Sequence, residues 1–375
     1  MILDSLNNLL KQSSNRIERW FDQQYQNLLP CIYSSVDIRY SGFKIAPVDT
    51  NLFPAGFNNL DQPALLQASH NLKLYLTKYF PTVKKILLIA ESHTRNKYYL
   101  DNLMSLDYLI KEAGFENCIA TFNEIVISSS DNSLQTQNGF IPDIILLNND
   151  LTTGAPSIMN NISQPIIPSA ALGWHKRRKS NYFTNYNKIV RNFSLEFNLD
   201  PFLISTLHSN CIGVNFEEKI GLEGIAFNIE KMINILRRKY KTYGFTDDPY
   251  IFVKSDKGTY GMGVIAVKSG EEILHINKKN KNKMNIIKEG VLNNEIILQE
   301  GIRTIDRYRN NPAEKMIYLM GPGKPIAVID RFNNKHSEFD NLNSNGMGFN
   351  LNKNNSANKS FELIAMLAAL AAAIE

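Results

Sequence analysis

Apolar residues recur at helical spacing near the start of the chain, at Leu6, Leu9, Leu10, Ile17, Trp20 and Phe21. That spacing predicts one or two amphipathic helices between Ile2 and Leu29. The pattern then breaks. From Val36 to Asn59 the chain reads VDIRYSGFKIAPVDTNLFPAGFNN, with Pro47, Pro54 and Gly56 set against any long helix or strand. A long loop is expected here, and its apolar content (Phe43, Ile45, Val48, Phe53, Phe57) argues against disorder. Two roles stay open for its polar residues: meeting a ligand, or capping the loop's own backbone.

Helical spacing returns over Asn71 to Phe80. Lys85 to Ala90 (KILLIA) has the continuous apolar character of a buried strand and runs directly into ESHTRN, residues 91–96. A helix is expected over Tyr98 to Ala113, a second strand over Thr121 to Ser128 and a third over Pro142 to Asn148. Strands alternating with helices predict a parallel sheet, whose ligands bind beyond the carboxyl ends of its strands. Helices then dominate: Phe183 to Phe197, Pro201 to His208 and Gly224 to Tyr240. Two strand-like runs follow, Tyr250 to Val253 and Val264 to Val267, with Gly258, Gly261 and Gly263 between them. Lys278 to Lys288 reads as an exposed loop or a helix start. Ile296 to Leu298 is a short strand, and Met316 to Met320 with Ile326 to Ile329 form a further hairpin. The alanine-rich run Leu363 to Ile374 is too short to span a bilayer and predicts a packed terminal helix.

Bulk properties narrow the class. A chain of 375 residues has room for two or three domains. Its net charge of +5 is mild: it helps attract ATP and acidic substrates but offers little support for nucleic-acid binding. Cys31, Cys118 and Cys211 lie far apart with no C-x-x-C, which argues against a disulfide framework or a zinc site and suits a reducing cytosol. The first residues, MILDSLNNLLKQ, lack the basic and apolar regions of a signal peptide, so a cytoplasmic protein is expected.

The candidate chemistry begins at IFVKSDKGTYGMGV, residues 251–264. Lys254 ends a strand, and glycines at the tip of a hairpin let backbone N–H groups approach an anion. An ordinary hairpin with a surface lysine is the other reading. Val264 and Ile265 stand where a P-loop needs Lys and Ser/Thr, and the glycines run in reverse of a dinucleotide fingerprint. Further on, EIILQEG (295–301) ends a strand in Gln299 and Glu300, a pattern that can bind adenine by backbone and ribose by carboxylate. Asn341 and Asn343, if on a strand, share one face. Amide and carboxylate oxygens suit Mg²⁺, while a turn is the alternative for Asn343 to Gly346, and the two are compatible. Arg331 is placed in sequence to clamp a phosphoryl group. Elsewhere, Glu91 to Asn96 is dense in polar groups beyond a strand. GWHKRRKS (173–180) is open to three readings: a solvated basic face, a nucleic-acid patch or an anion site.

These segments occur in the order of an ATP-grasp ligase. Together DIRYSGFKIAPVDTNLFPAGFNN, ESHTRN with Tyr98 and Tyr99, GWHKRRKSN, FVKSDKGTYGMGV, ILQEG and NLNSNGM resemble the proteobacterial glutamate–cysteine ligase family, over Asp37 to about Glu375. The resemblance implies an α/β protein. A parallel α/β (pre-ATP-grasp-like) domain over 1–172 would bind amino-acid substrates. An ATP-grasp-like α+β domain over 173–375 would divide into 173–290, with the glycine hairpin, and 291–375, with a metal site. It also implies ATP- and Mg²⁺-dependent formation of γ-glutamylcysteine, the first step of glutathione synthesis, with no nucleic-acid or membrane partner. Carried over by position, Lys254 and Arg331 would be catalytic. Lys254, Lys257, Gly258, Tyr260, Gly261, Gly263, Gln299 and Glu300 would hold the nucleotide. Asp330, Asp340, Asn341 and Asn343 would hold the metal. The amino acids would meet Asp49, Asn51, Asn58, Glu91, His93, Arg95, Asn96, Trp174, His175 and Arg177. Three positions depart from the family pattern: Asp330 replaces an aromatic residue, Asp340 a glutamate, and Asn341 stands where many ATP-grasp enzymes carry glutamate. An ATP-grasp ligase for another acid and amine, or a non-catalytic nucleotide-binding protein, are the alternatives.

Overall fold

A computed structural model describes residues 2–92, 96–128, 131–258, 263–285 and 293–375, with 355–357 described in backbone only. Helix α1 (Ile2–Tyr25) is interrupted at Ser13, whose φ of −133° is not helical, and it buries Leu6, Ile17, Trp20 and Phe21. Strands β1 (Tyr33–Tyr40) and β2 (Ile45–Asn51) follow, then α2 (Gln62–Tyr79), β3 (Lys85–Ile89), α3 (Lys97–Glu112) and β4 (Glu116–Ala120). A small hairpin, β5 (Ile125–Ile127) with β6 (Leu134–Thr136), precedes β7 (Ile144–Leu147) and β8 (Ile166–Ile167). Next come α4 (Lys179–Phe197), β9 (His208–Ile212), α5 (Leu222–Tyr243), β10 (Ile251–Ser255) and β11 (Val264–Val267). Short helices α6 (Glu271–Leu274) and α7 (Lys278–Asn285) lead to β12 (Glu295–Glu300), β13 (Arg307–Tyr308), β14 (Asn311–Met320), β15 (Lys324–Asn333), β16 (Met347–Leu351) and α8 (Asn355–Ala372).

Three larger sheets result. The parallel one, in the order β4-β3-β7-β8, fills residues 85–167. The second, β11-β10-β12-β9, is antiparallel and rests one face on α5 through Ile225, Ile229, Ile233, Ile251, Val253 and Leu298. A six-stranded antiparallel sheet, β16-β15-β14-β1-β2 with β13 beside β14, forms the centre. One face of this central sheet packs on α8 through Val36, Ile38, Ile317, Leu319, Phe361, Ile364 and Leu367. Alanines at 365, 368, 369 and 371 let the helix lie close to the sheet. Among the described residues no helix is long and apolar enough to cross a membrane.

Several expectations are corrected. The stretch from Val36 is not a long loop: it is the β1–β2 hairpin, turning at residues 41–44. Pro47 does not forbid a strand here because β2 lies at the sheet edge, with a register shift beside it. The second parallel strand is β4, not Thr121 to Ser128, whose residues form a 3₁₀ turn and β5, the first strand of the small antiparallel hairpin. Pro201 to His208 is no continuous helix, since a 3₁₀ turn covers only Pro201–Leu203 and His208 opens β9. The central sheet also crosses the division expected at residue 172, because β1 and β2 pair into strands from the last seventy residues.

Candidate active site

Strand alternation builds the site. On the central sheet, Ile38 and Lys315 are paired across β1 and β14, and the same register sets Arg39 beside Glu314. Glu314 is in turn opposite Arg331 on β15. Asp37 is opposite Asp49 on β2. These side chains share the face away from α8. On the second sheet, Phe252 and Lys254 of β10 face the same way as their β12 partners Gln299 and Ile297. Between the two faces lies a partly open cavity, lined by Asp37, Arg39, Asp49, Glu314 and Arg331 from one side and by Phe252, Lys254, Ser255, Lys257, Gly258 and Val264 from the other. Val48, Lys179, Asn341 and Asn343 complete the wall. Five cations against three carboxylates leave the lining positive.

Its ion pairs are dense. Glu314 accepts from Arg39 Nε at 2.5 Å and from Arg331 Nε at 2.9 Å, and Arg331 also donates to Asp37. Burial disfavours the Glu314 carboxylate, yet the Arg39 and Arg331 guanidiniums overcome it and hold its pKa at about 2. Burial drives Asp37 up to about 6 against the pull of Arg331. Lys254 Nζ donates to Val48 O at 3.1 Å and Gln299 Oε1 at 2.7 Å, and burial brings its pKa down to about 8 although Asp49 opposes the fall. Lys179 Nζ meets Asp49 Oδ1 at 2.6 Å and lies over the Trp174 ring, 4.4 Å from its centre. Burial of Asp49 is outweighed by Lys179 and Lys254, so its carboxyl lies below the usual range. Gly258, with φ +91°, carries the chain past this wall in a conformation that a side chain resists.

Not every sequence candidate meets this cavity. Lys254, Lys257, Gly258, Asp49, Arg331, Asn341 and Asn343 do. Gln299 reaches its edge through Lys254, and Gly263 lies beside it, accepting the Ser255 N–H at 3.1 Å. His93, Arg95, Tyr260 and Gly261 lie outside the described residues. Glu300 points the other way, as the residue after Gln299 on a strand must, and is buried against Lys44 Nζ at 2.8 Å. Asp330 is likewise on the α8 face, held by Lys315 at 2.5 Å and Asn352 at 2.8 Å. The Asp340 carboxylate turns back to Ser337 N–H and O–H at 2.9 and 2.8 Å. Asn341 and Asn343 sit in a turn, not a strand, with Asn343 N–H donating to Asn341 Oδ1 at 3.1 Å.

The substrate candidates scatter. Asn51 Oδ1 accepts from Phe53 N–H, Asn96 Oδ1 caps α3 through Tyr98 N–H, and Asn58 lies in the 3₁₀ turn Phe57–Asn59. The Glu91 N–H donates to the Tyr99 hydroxyl, and His175 Nδ1 is 3.1 Å from Leu151 O. Trp174 is buried beneath Arg177 and Lys179, and Arg177 binds Glu375 and Thr50 O. Of the basic run, Lys179 alone lines the cavity. Sequence reading passed over Glu314, and it left Asp37, Arg39 and Lys179 inside polar stretches without singling them out as site residues. The period-two alternation Val36, Ile38, Tyr40 against Asp37, Arg39 was the signal that could have singled out those last two.

Comparison with known proteins follows the geometry. A family model described as glutamate-cysteine ligase matches residues 7–375. A crystal structure from Methylobacillus flagellatus KT, to which gamma-glutamylcysteine synthetase activity is ascribed, is 34% identical and superposes with a TM-score of 0.90 over 100% of this chain and 95% of that one. A glutathione synthetase-like effector from Globodera pallida gives 0.40 at 8% identity, over 88% of this chain and 76% of its own. The D-alanyl-alanine synthetase A of Vibrio cholerae gives 0.33 at 10%, over 72% and 74%. Those two overlaps are too loose to bear on this chain. No curated protein matches it.

Proposed function

Because the chain belongs to the glutamate–cysteine ligase family and is a ligase on that ground, we propose that it joins the γ-carboxylate of glutamate to the amine of cysteine at the expense of ATP, the first step of glutathione synthesis. The observation that carries this reading is the positive cavity between the two sheets, with Lys254 on one wall and Arg331 on the other. Positioning and charge neutralisation supply most of the catalysis in phosphoryl transfer, and a partly buried cavity strengthens both.

In the first step a γ-carboxylate oxygen attacks the terminal phosphorus, and the bond from that phosphorus to the ADP oxygen breaks. In the second, the cysteine nitrogen attacks the acyl carbon, the carbon–oxygen bond to phosphate breaks and the amine's proton passes to the departing phosphate. Lys254, Lys257 and the Gly258 backbone would hold the phosphates. Arg331 would face the transferred group: its Nη1 donates to nothing else among the described residues. Lys179 and Asp49 offer a cation and an anion to the charged ends of an amino acid. Oxygen donors suit Mg²⁺, which takes few protein ligands and leaves the rest to phosphates and water. Asp37 and the Asn343 amide are donors of that kind on this wall, and bound Mg²⁺ would neutralise charge on the phosphates. Among the described residues no three carboxylate, histidine or cysteine groups gather to hold a metal unaided.

Purified protein with ATP, Mg²⁺, glutamate and cysteine is expected to release phosphate only when both amino acids are present. Lys254→Ala should lower that rate by about 10²-fold or more. Phosphate release indifferent to cysteine would overturn the reading, and a product found by mass spectrometry only with another acid–amine pair would move it to that pair.

A further inference from the structure

Arg39 has no place in the proposed chemistry, yet it joins more of the cavity wall than any side chain around it. Its Nε donates to Glu314 at 2.5 Å, its Nη1 to Ile302 O at 3.2 Å and its Nη2 to Asp340 O at 2.6 Å. Its guanidinium also lies 5.7 Å from the centre of the Phe252 ring. Four segments therefore meet at one planar group: β1 itself, the exit of β12, the turn carrying Asn341 and Asn343, and Glu314, whose other oxygen holds Arg331. A lysine could not do this, because the contacts need three donors fixed in one plane.

We infer that Arg39 is a positioning residue, acting through Glu314 on the direction of Arg331 and through the Asp340 carbonyl on the Asn341–Asn343 turn. The inference rests on the ligase reading above. Glu314 has two oxygens and three guanidinium contacts, so the arginines are held side by side in one row across β1, β14 and β15. Loss of the fork at Arg39 frees Glu314 to follow Arg331, and the row loses its fixed direction. The buried Arg–Glu–Arg arrangement costs desolvation, and its return is a fixed geometry at the moment of phosphoryl transfer.

The test is a double-mutant cycle with Arg39→Lys, Arg331→Lys and both together, reading kcat and the KM for ATP in the phosphate-release reaction. Rates are normalised to the fraction of protein that binds a non-hydrolysable ATP analogue, so a loss of folded material does not count. Arg39→Lys is expected to lower kcat by about 10²-fold with little change in the KM for ATP. The double variant is expected to be about as slow as the slower single one, because both remove the same alignment. Multiplicative effects, or a normalised kcat for Arg39→Lys equal to wild type, overturn the proposal. Should Arg39→Lys not fold, Glu314→Gln replaces it in the cycle with the same two outcomes. Wild-type protein that turns over no ATP with glutamate and cysteine overturns the ligase reading itself, a failure distinct from wild-type activity that is indifferent to Arg39.

Discussion

At the scale of single residues, Lys254 shows most directly how burial becomes chemistry. Its amine sits between Val48 O and Gln299 Oε1, and burial brings its pKa down to about 8. The cation is therefore complete below about pH 7 and is lost as pH rises through 8. The sign for nucleotide binding follows: affinity for ATP should hold up to neutrality and then weaken, by roughly tenfold between pH 7 and 9.5, as a charge-assisted contact disappears. Calorimetric titration with ATP across that range checks this. Lys254→Arg, which stays protonated throughout, should flatten the profile, and an equally steep fall in that variant would assign it to another group. The position of Lys254 at a strand end before glycines was legible in the sequence, while its place on the cavity wall, rather than as a surface lysine, came from the fold. Glu314 was not legible, since its pairing with Arg39 joins strands 275 positions apart and nothing local marks it.

At the scale of elements, alternation along a strand decided which candidates meet the cavity. Gln299 and Glu300 are neighbours in sequence, and the sequence reading gave both to the nucleotide. On β12 they point to opposite faces: Gln299 to Lys254, Glu300 to the buried Lys44 beneath it. Glu300→Ala is thus expected to act on stability, leaving Lys44 buried and unpaired at a cost of about 3–5 kcal/mol. Chemical denaturation reads this as a lowered midpoint, while the KM for ATP of the folded fraction stays near wild type. A raised KM with unchanged stability would return Glu300 to the nucleotide site. The same alternation moves Asp330 to the α8 face while Arg331 lines the cavity. The longer helices and the strands flanking the glycines were legible because their periods are local, whereas Pro201 to His208, too short to show a period, was not. The β1–β2 hairpin was not, because its prolines and glycine look like loop residues until β2 is known to be an edge.

At the scale of the whole molecule, the site exists only where two antiparallel sheets face each other. Among the described residues its walls draw on β1, β2, β14 and β15 on one side and on β10, the start of β11 and Gly258 on the other, with Lys179 and the Asn341–Asn343 turn between, and neither sheet alone lines it. A ligand that touches both should tie them together. Saturating Mg²⁺–ATP at about a hundred times its Kd is expected to stabilise the folded protein by roughly 2.7 kcal/mol, read as a rise in Tm of a few degrees. Glutamate added with ATP should raise it further, and a Tm unmoved by ATP would show that the cavity does not hold the nucleotide. The sequence by itself determined most of the longer helices, the parallel strands Lys85–Ile89 and Ile144–Leu147, the two strands flanking the glycines and the likeness to a ligase family, because these are carried by short spacings. Tertiary structure alone decided that β1 and β2 belong to the C-terminal sheet and that Arg39, Glu314 and Arg331 form one row. It also decided that Glu300 and Asp330 face away from the cavity. The physical reason is that periodicity fixes which residues share a face, while long-range strand pairing and packing fix what that face meets.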